Sequence, residues 1–179
     1  ELKDLDGCLK TCEVLTKEDD LTLVTRRERA RARANFYRGD YRGSMECLQL
    51  ARQASIDSGV PLLRAQVELV DLTLSSGSRP LESTSSALTD LKRLVAHIGD
   101  PHLMIELRLC VARAEARSNS LREAAKHVST PRALLERYPN LWLAGSIELD
   151  SSIITALTGD IDETLNYLQT AAGYAEQSG

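Results

Sequence analysis

Phenylalanine and tryptophan occur once each in 179 residues, and aromatic side chains make up only 4% of the chain. Valine and isoleucine together number 15. Strands carry branched and aromatic side chains on their pleats, so this composition excludes a sheet protein. No apolar run approaches the length of about eighteen residues that a membrane-spanning helix needs. Four cysteines do not make a disulfide framework, and Cys8 and Cys12 lie one helical turn apart with parallel Cβ vectors, an awkward geometry for a bond. Reduced thiols in a cytoplasmic compartment are the expectation. Glu1-Leu2-Lys3-Asp4 has neither the basic nor the apolar region of a signal peptide. After Arg137 there is no lysine or arginine at all.

What is present points to helices. Leucine and alanine, 29 and 19 in number, supply 48 of the 179 residues, and such side chains lose little freedom in a helix. With 42% apolar residues and a net charge of −4, the chain can support a core and is not disordered. That small net charge averages two unlike regions. Seven arginines lie between Arg26 and Arg42, against Glu28 and Asp40, whereas the stretch after Arg137 carries six acids and the first twenty residues seven.

The chain repeats itself every forty residues. Gly59, Gly99 and Gly179 keep this spacing with Pro139 in the open place, and Gly39, Asn119 and Gly159 form a second row. Three apolar columns follow the same register: Tyr41, Leu81, Leu121 and Ile161; Leu48, Leu88, Val128 and Leu168; Ala54, Leu94, Leu134 and Tyr174. Each unit reads as two helices, the first opening near 21, 61, 101 and 141 and ending near 39, 77, 119 and 159. Pro61 and Pro101 suit a first helical turn. Ser120–Glu123 and Asp160–Glu163 have capping-box spacing. Gly39, Gly59, Gly99 and Gly159 stand where left-handed helix exits are needed. The expectation is an all-α, right-handed superhelix (an α-solenoid) of antiparallel hairpins with about nine helices. It divides into a half unit, 1–19, and full units 20–59, 60–99, 100–139 and 140–179. Neither end shows a polar capping unit, so the sequence reads as a piece of a larger protein.

The run Ala34-Asn35-Phe36-Tyr37-Arg38-Gly39-Asp40-Tyr41, then Leu48, Ala51 and Ala54, resembles a tetratricopeptide repeat. Leu157-Thr158-Gly159-Asp160, followed by Leu165, Leu168 and Ala171, is similar to the same pattern. The forty-residue unit is longer than usual for that family and resembles units in the superhelical arms of large ATP-dependent bacterial transcription activators of the maltose-regulon type. This resemblance implies a concave groove lined by the first helices, which here brings Arg26, Arg29, Arg33, Phe36 and Tyr37 to its surface. Arg26, Arg29, Arg33 and Tyr37 also share one helical face by spacing. Guanidinium forks bind carboxylates bidentately, so an arginine stripe beside aromatics suits a protein or peptide with acidic groups. The competing reading is a structural one, with the arginines satisfied internally by Asp19, Asp20 and Glu28.

Other chemistry is poorly supported. The acidic remainder of the molecule would repel a nucleic acid. Cys8, Cys12 and Cys47 have no CxxC pair and no histidine near them, so a metal site is not expected and buried thiols are. His97, His102 and His127 do not converge, and no catalytic constellation or cofactor motif occurs, so the chain is not expected to be an enzyme. The hydroxyl-rich residues 75–80 and 83–86 read as turn and cap chemistry. Trp142 and Leu143 are expected in the core. The function implied is a non-catalytic protein- or peptide-binding array within a multidomain regulator or scaffold. The alternative is an effector-sensing or self-associating arm of an ATP-dependent transcription regulator, in which the basic first unit meets the acidic last one.

Overall fold

A computed structural model describes residues 20–75 and 85–178, together with residues 7 and 10–12. The chain divides into two compact bodies, Glu1–Ser75 and Ser76–Gly179. The described residues are helices joined by short turns, with no strand among them, so the all-α expectation holds. The leading half unit and the connection at 76–84 lie almost wholly outside the described residues.

In the first body, α1 (Leu21–Tyr37) and α2 (Tyr41–Asp57) form a hairpin, and α3 (Pro61–Ser75) packs on both. Asp20 starts α1 by accepting the Thr22 N–H at 2.8 Å, and Asp40 starts α2 by accepting that of Gly43 at 2.9 Å. Between them Gly39 turns the chain at φ +83°, a left-handed conformation that side chains resist. Ala32 and Ala51 are fully buried where α1 meets α2, and their small side chains let the helices approach closely. Cys47, Leu48, Val67, Val70 and Leu74 complete the core, with Phe36 packed against it. Ser44 is buried too, and its hydroxyl donates across the hairpin to the carbonyl of Ala32 at 2.8 Å.

The second body holds α4 (Ser85–Ile98), α5 (Pro101–Arg117), α6 (Leu121–Arg137), α7 (Leu141–Thr158) and α8 (Ile161–Ser178). Each helix packs on the next, and α5 also packs on α7. Ile105, Leu109 and Ala112 of α5 meet Ala124 and Val128 of α6 and Leu143, Ile147 and Ile154 of α7 in one buried cluster. Asp100 and Asn140 cap α5 and α7 at 2.9 and 3.0 Å. Asn119 and Gly159, forty residues apart, both have positive φ, and so do Gly59 and Gly99 of the other row, so turn residues at the same place in the period do the same local work. First helices open at 21, 61, 101 and 141, as the period requires.

Two local expectations are corrected. Ser120 makes no side-chain cap; its ψ of 57° falls short of the 107°, 120° and 110° at Asp20, Asp100 and Asn140. Its short side chain cannot make up the difference, and Glu123 instead accepts from Lys126 at 2.7 Å. At α8 the Asp160 carboxylate does cap the Glu163 N–H at 3.0 Å, but the Glu163 carboxylate takes the Tyr167 hydroxyl rather than closing a box. Trp142 is not in the core. It is 55% exposed, because α7 turns Leu143, at 1%, toward α5 and α6.

Candidate functional site

The arginines of α1 are sorted by one buried carboxylate. Glu28 is 1% exposed and accepts from Arg27 Nε at 2.7 Å and from Arg31 Nη1 at 3.2 and 3.3 Å. A charge that deep is tolerated only with partners, and these two guanidinium groups supply them. Cys47 lies beside this pair. Burial pushes its thiol up to about 11, and the Arg31 charge pulls the other way. Asp20, a second internal acceptor considered for the arginines, is occupied as the α1 cap, and Asp19 lies outside the described residues.

The remaining arginines lie on the other face. Arg26 is exposed and Arg33 half-buried, and neither makes a hydrogen bond or ion pair with the described residues. Arg29 reaches from α1 to α3, where its Nη1 donates to Gln66 Oε1. Tyr37, one turn beyond Arg33, is 63% exposed. Phe36 divides its surface: it packs against the first core, and its ring meets Tyr37 at 5.8 Å and Tyr41 at 5.4 Å, both edge-on. Tyr41 is the aromatic that sequence reasoning missed. Read as a core column, it is 64% exposed. The signal was available, since the tight Gly39-Asp40 turn sets the start of α2 beside the end of α1. Three arginines along one face of α1, with two exposed tyrosines beside Phe36 at its end, can offer planar donors to carboxylates and ring faces to apolar groups.

Other arginines hold neighbouring helices together. Arg52 of α2 donates to Glu68 at 2.9 and 3.0 Å and to Asp71 at 2.8 Å on α3. Eighty residues on, Arg132 of α6 donates to Glu148 at 2.8 Å and to Ser151 at 3.0 Å on α7. In both cases the acceptors lie 16 and 19 residues downstream, so the clasp follows the period. First helices are joined by a separate contact: Arg113 Nε donates to Asp150 Oδ1 at 2.7 Å, 37 residues away, as Arg29 and Gln66 are. Asp150 is 2% exposed, and its Oδ2 has no hydrogen-bond partner among the described residues. Burial raises its carboxyl above the usual range, against the pull of Arg113.

A cleft of about 460 Å³ opens between α6, α7 and α8, lined among others by Leu121, Val128, Arg132, Ile154 and Tyr167. The Arg132 guanidinium lies over the Tyr167 ring, 5.1 Å from its centroid. Sequence reasoning did not find this cleft, whose walls come from three helices.

Among the described residues no cluster of three His, Cys, Asp or Glu is placed to hold a metal ion. Cys12, Cys47 and Cys110 are buried free thiols, and Cys8 lies outside the described residues. His102 sits 3.4 Å from the Tyr138 carbonyl oxygen. No described helix is long and apolar enough to cross a membrane. The chain matches no family model, and neither a curated protein nor a solved structure matches it.

Proposed function

We propose that this chain is a non-catalytic, protein- or peptide-binding array of tetratricopeptide-like repeats within a larger cytoplasmic regulator or scaffold. Its ligand carries acidic groups, taken by Arg26, Arg29 and Arg33, while Phe36 and Tyr37 give apolar contact and Tyr41 extends it. The supporting observation is the division of arginines around Glu28. Arg27 and Arg31 are engaged by the buried Glu28 carboxylate, whereas Arg26 and Arg33 keep their donors for something else. Charge-assisted hydrogen bonds contribute about 1.5–3 kcal/mol each, so losing one weakens binding about tenfold or more. An acidic peptide with a free C-terminal carboxylate, titrated by fluorescence anisotropy, should bind the Arg29→Ala/Arg33→Ala variant at least about tenfold more weakly. Equal affinities for a variant with unchanged circular dichroism would sink the assignment.

The cleft beside Arg132 favours a second reading, an effector-sensing arm of an ATP-dependent transcription regulator. Its 460 Å³ falls in the range of small-ligand sites, about 300–1,000 Å³, and it joins apolar walls to the side chains of Arg122, Arg132 and Glu163. A panel of small carboxylates that left the melting temperature unmoved at saturating concentration would count against it.

A further inference from the structure

Two arginines of α6 lack acids that the matching arginines of α2 possess. Arg52 and Arg132 stand two periods apart, and so do Arg42 and Arg122. Arg52 uses both Nε and Nη2 on two carboxylates, Glu68 at 2.9 and 3.0 Å and Asp71 at 2.8 Å. Arg132 uses Nη2 on one carboxylate, Glu148, and in the place of Asp71 it meets the Ser151 hydroxyl. Its Nε is buried and has no partner among the described residues. Arg42 donates to Glu46 at 3.0 Å. Lys126 stands in the place of Glu46, and Arg122 makes no hydrogen bond or ion pair with a described residue. Both cations are present in α6, and a carboxylate is missing beside each.

Both arginines line the 460 Å³ cleft, which has α6 on one side and the α7–α8 hairpin on the other. Val128 and Ile154 give it buried apolar walls, and the Tyr167 ring lies against the Arg132 guanidinium. Glu163 is the acid on its wall, and that carboxylate is engaged by the Tyr167 hydroxyl at 2.9 Å. Buried donors in native proteins are almost always paired. A guanidinium fork with one carboxylate partner replaced by a hydroxyl, at the edge of an open cleft, is a receptor for a carboxylate from outside the fold. The first body shows the chemistry that suits this place, since Glu68 and Asp71 fill the matching fork.

We propose that the cleft binds a small organic acid, whose carboxylate gives Arg132 what Asp71 gives Arg52 and whose apolar body lies against Val128 and Ile154. Arg122 adds attraction from the wall. The assignment rests on the effector-site reading of the cleft and names the class of effector. It is separate from the arginine face of α1.

The test titrates the whole 179-residue chain, isotope-labelled for NMR, with hexanoate, octanoate and phenylacetate, each beside its neutral amide. An acid should shift the Arg132 Nε–H signal and the backbone signals of Ile154 and Thr155 saturably, and its amide should bind at least about tenfold more weakly. Ser151→Asp restores the pair of carboxylates seen around Arg52 and should weaken acid binding at least about tenfold. Lys126→Glu restores the partner of Arg122 and should weaken it about twofold, as suits an exposed pair. The Arg29→Ala/Arg33→Ala variant should bind the acid unchanged. Circular dichroism checks that Ser151→Asp folds, and Arg132→Gln, which removes the charge and keeps side-chain donors, should show the same tenfold loss. Equal shifts from acid and amide would overturn the organic acid and leave the effector-site reading standing. No shift at these residues from any acid or amide at about 10 mM would overturn both. Undiminished acid affinity in folded Ser151→Asp or in Arg132→Gln would overturn the seat on Arg132.

Discussion

Replacing Glu28 with alanine tests how the basic helix is held together. The carboxylate is 1% exposed and meets two guanidinium groups whose side chains are 14% exposed for Arg27 and 35% for Arg31. Removing one partner of a buried ion pair costs about 3–5 kcal/mol, because the other charge is left without compensation. Arg31 keeps access to water, so the lower end of that range applies, about 3 kcal/mol. Glu28→Gln keeps the shape and one acceptor oxygen, and should cost less, about 1–2 kcal/mol. A Glu28→Leu/Arg27→Met/Arg31→Met variant, which removes the carboxylate and both of its guanidinium partners, should recover much of the alanine loss, since apolar residues of similar volume replace buried ion pairs well. Urea unfolding followed by circular dichroism gives these differences as midpoint shifts at constant slope. The functional arm is independent: acidic-peptide affinity should not weaken in Glu28→Gln, because Arg26 and Arg33 do not contact that carboxylate. A Glu28→Ala loss below about 1 kcal/mol, the range of exposed pairs, would refute the claim that Glu28 is a buried ion-pair partner of Arg27 and Arg31.

Asp150 links the second body to pH. Burial raises its folded carboxyl above the unfolded value of 3.8, so the folded state holds the proton more tightly than the unfolded chain does. Ionisation then costs stability; the penalty is complete above the folded pKa and is relieved as pH falls through it toward 3.8. Across the acid range just above 3.8, the wild type should gain stability relative to Asp150→Asn as pH is lowered, and parallel pH profiles would contradict this. Cys47, pushed up to about 11, should resist alkylation in the folded protein at pH values near 8 and react at the rate of unfolding. Mass-resolved labelling that found Cys47 modified as fast as an unfolded control would show that the thiol is open to solvent.

Composition and spacing determined the class of fold and the places where the chain turns. Leucine and alanine in place of branched and aromatic residues made helices the available element, and Gly39, Gly59, Gly99, Asn119 and Gly159 adopt the left-handed φ that their positions require. Pro61 and Pro101 open α3 and α5 as first-turn prolines. These are local properties, governed by a residue's own backbone and its near neighbours. The face of Arg26, Arg29, Arg33 and Tyr37 was legible for the same reason, since helical spacing alone puts these residues on one side. Which arginines are consumed was not legible. Arg27 and Arg31 lie one residue before and three after Glu28, but their roles follow from its burial, which depends on the elements packed around α1. Arg29–Gln66 and Arg113–Asp150 join residues 37 apart, and Arg132 finds Glu148 only after α7 has docked on α6. Trp142 and Leu168 looked like core from their pattern, and both are exposed because no described helix covers their side of the last hairpin. Periodicity sets the phase of a side chain around its own helix; burial and charge pairing depend on the neighbour opposite, and tertiary packing decides that neighbour.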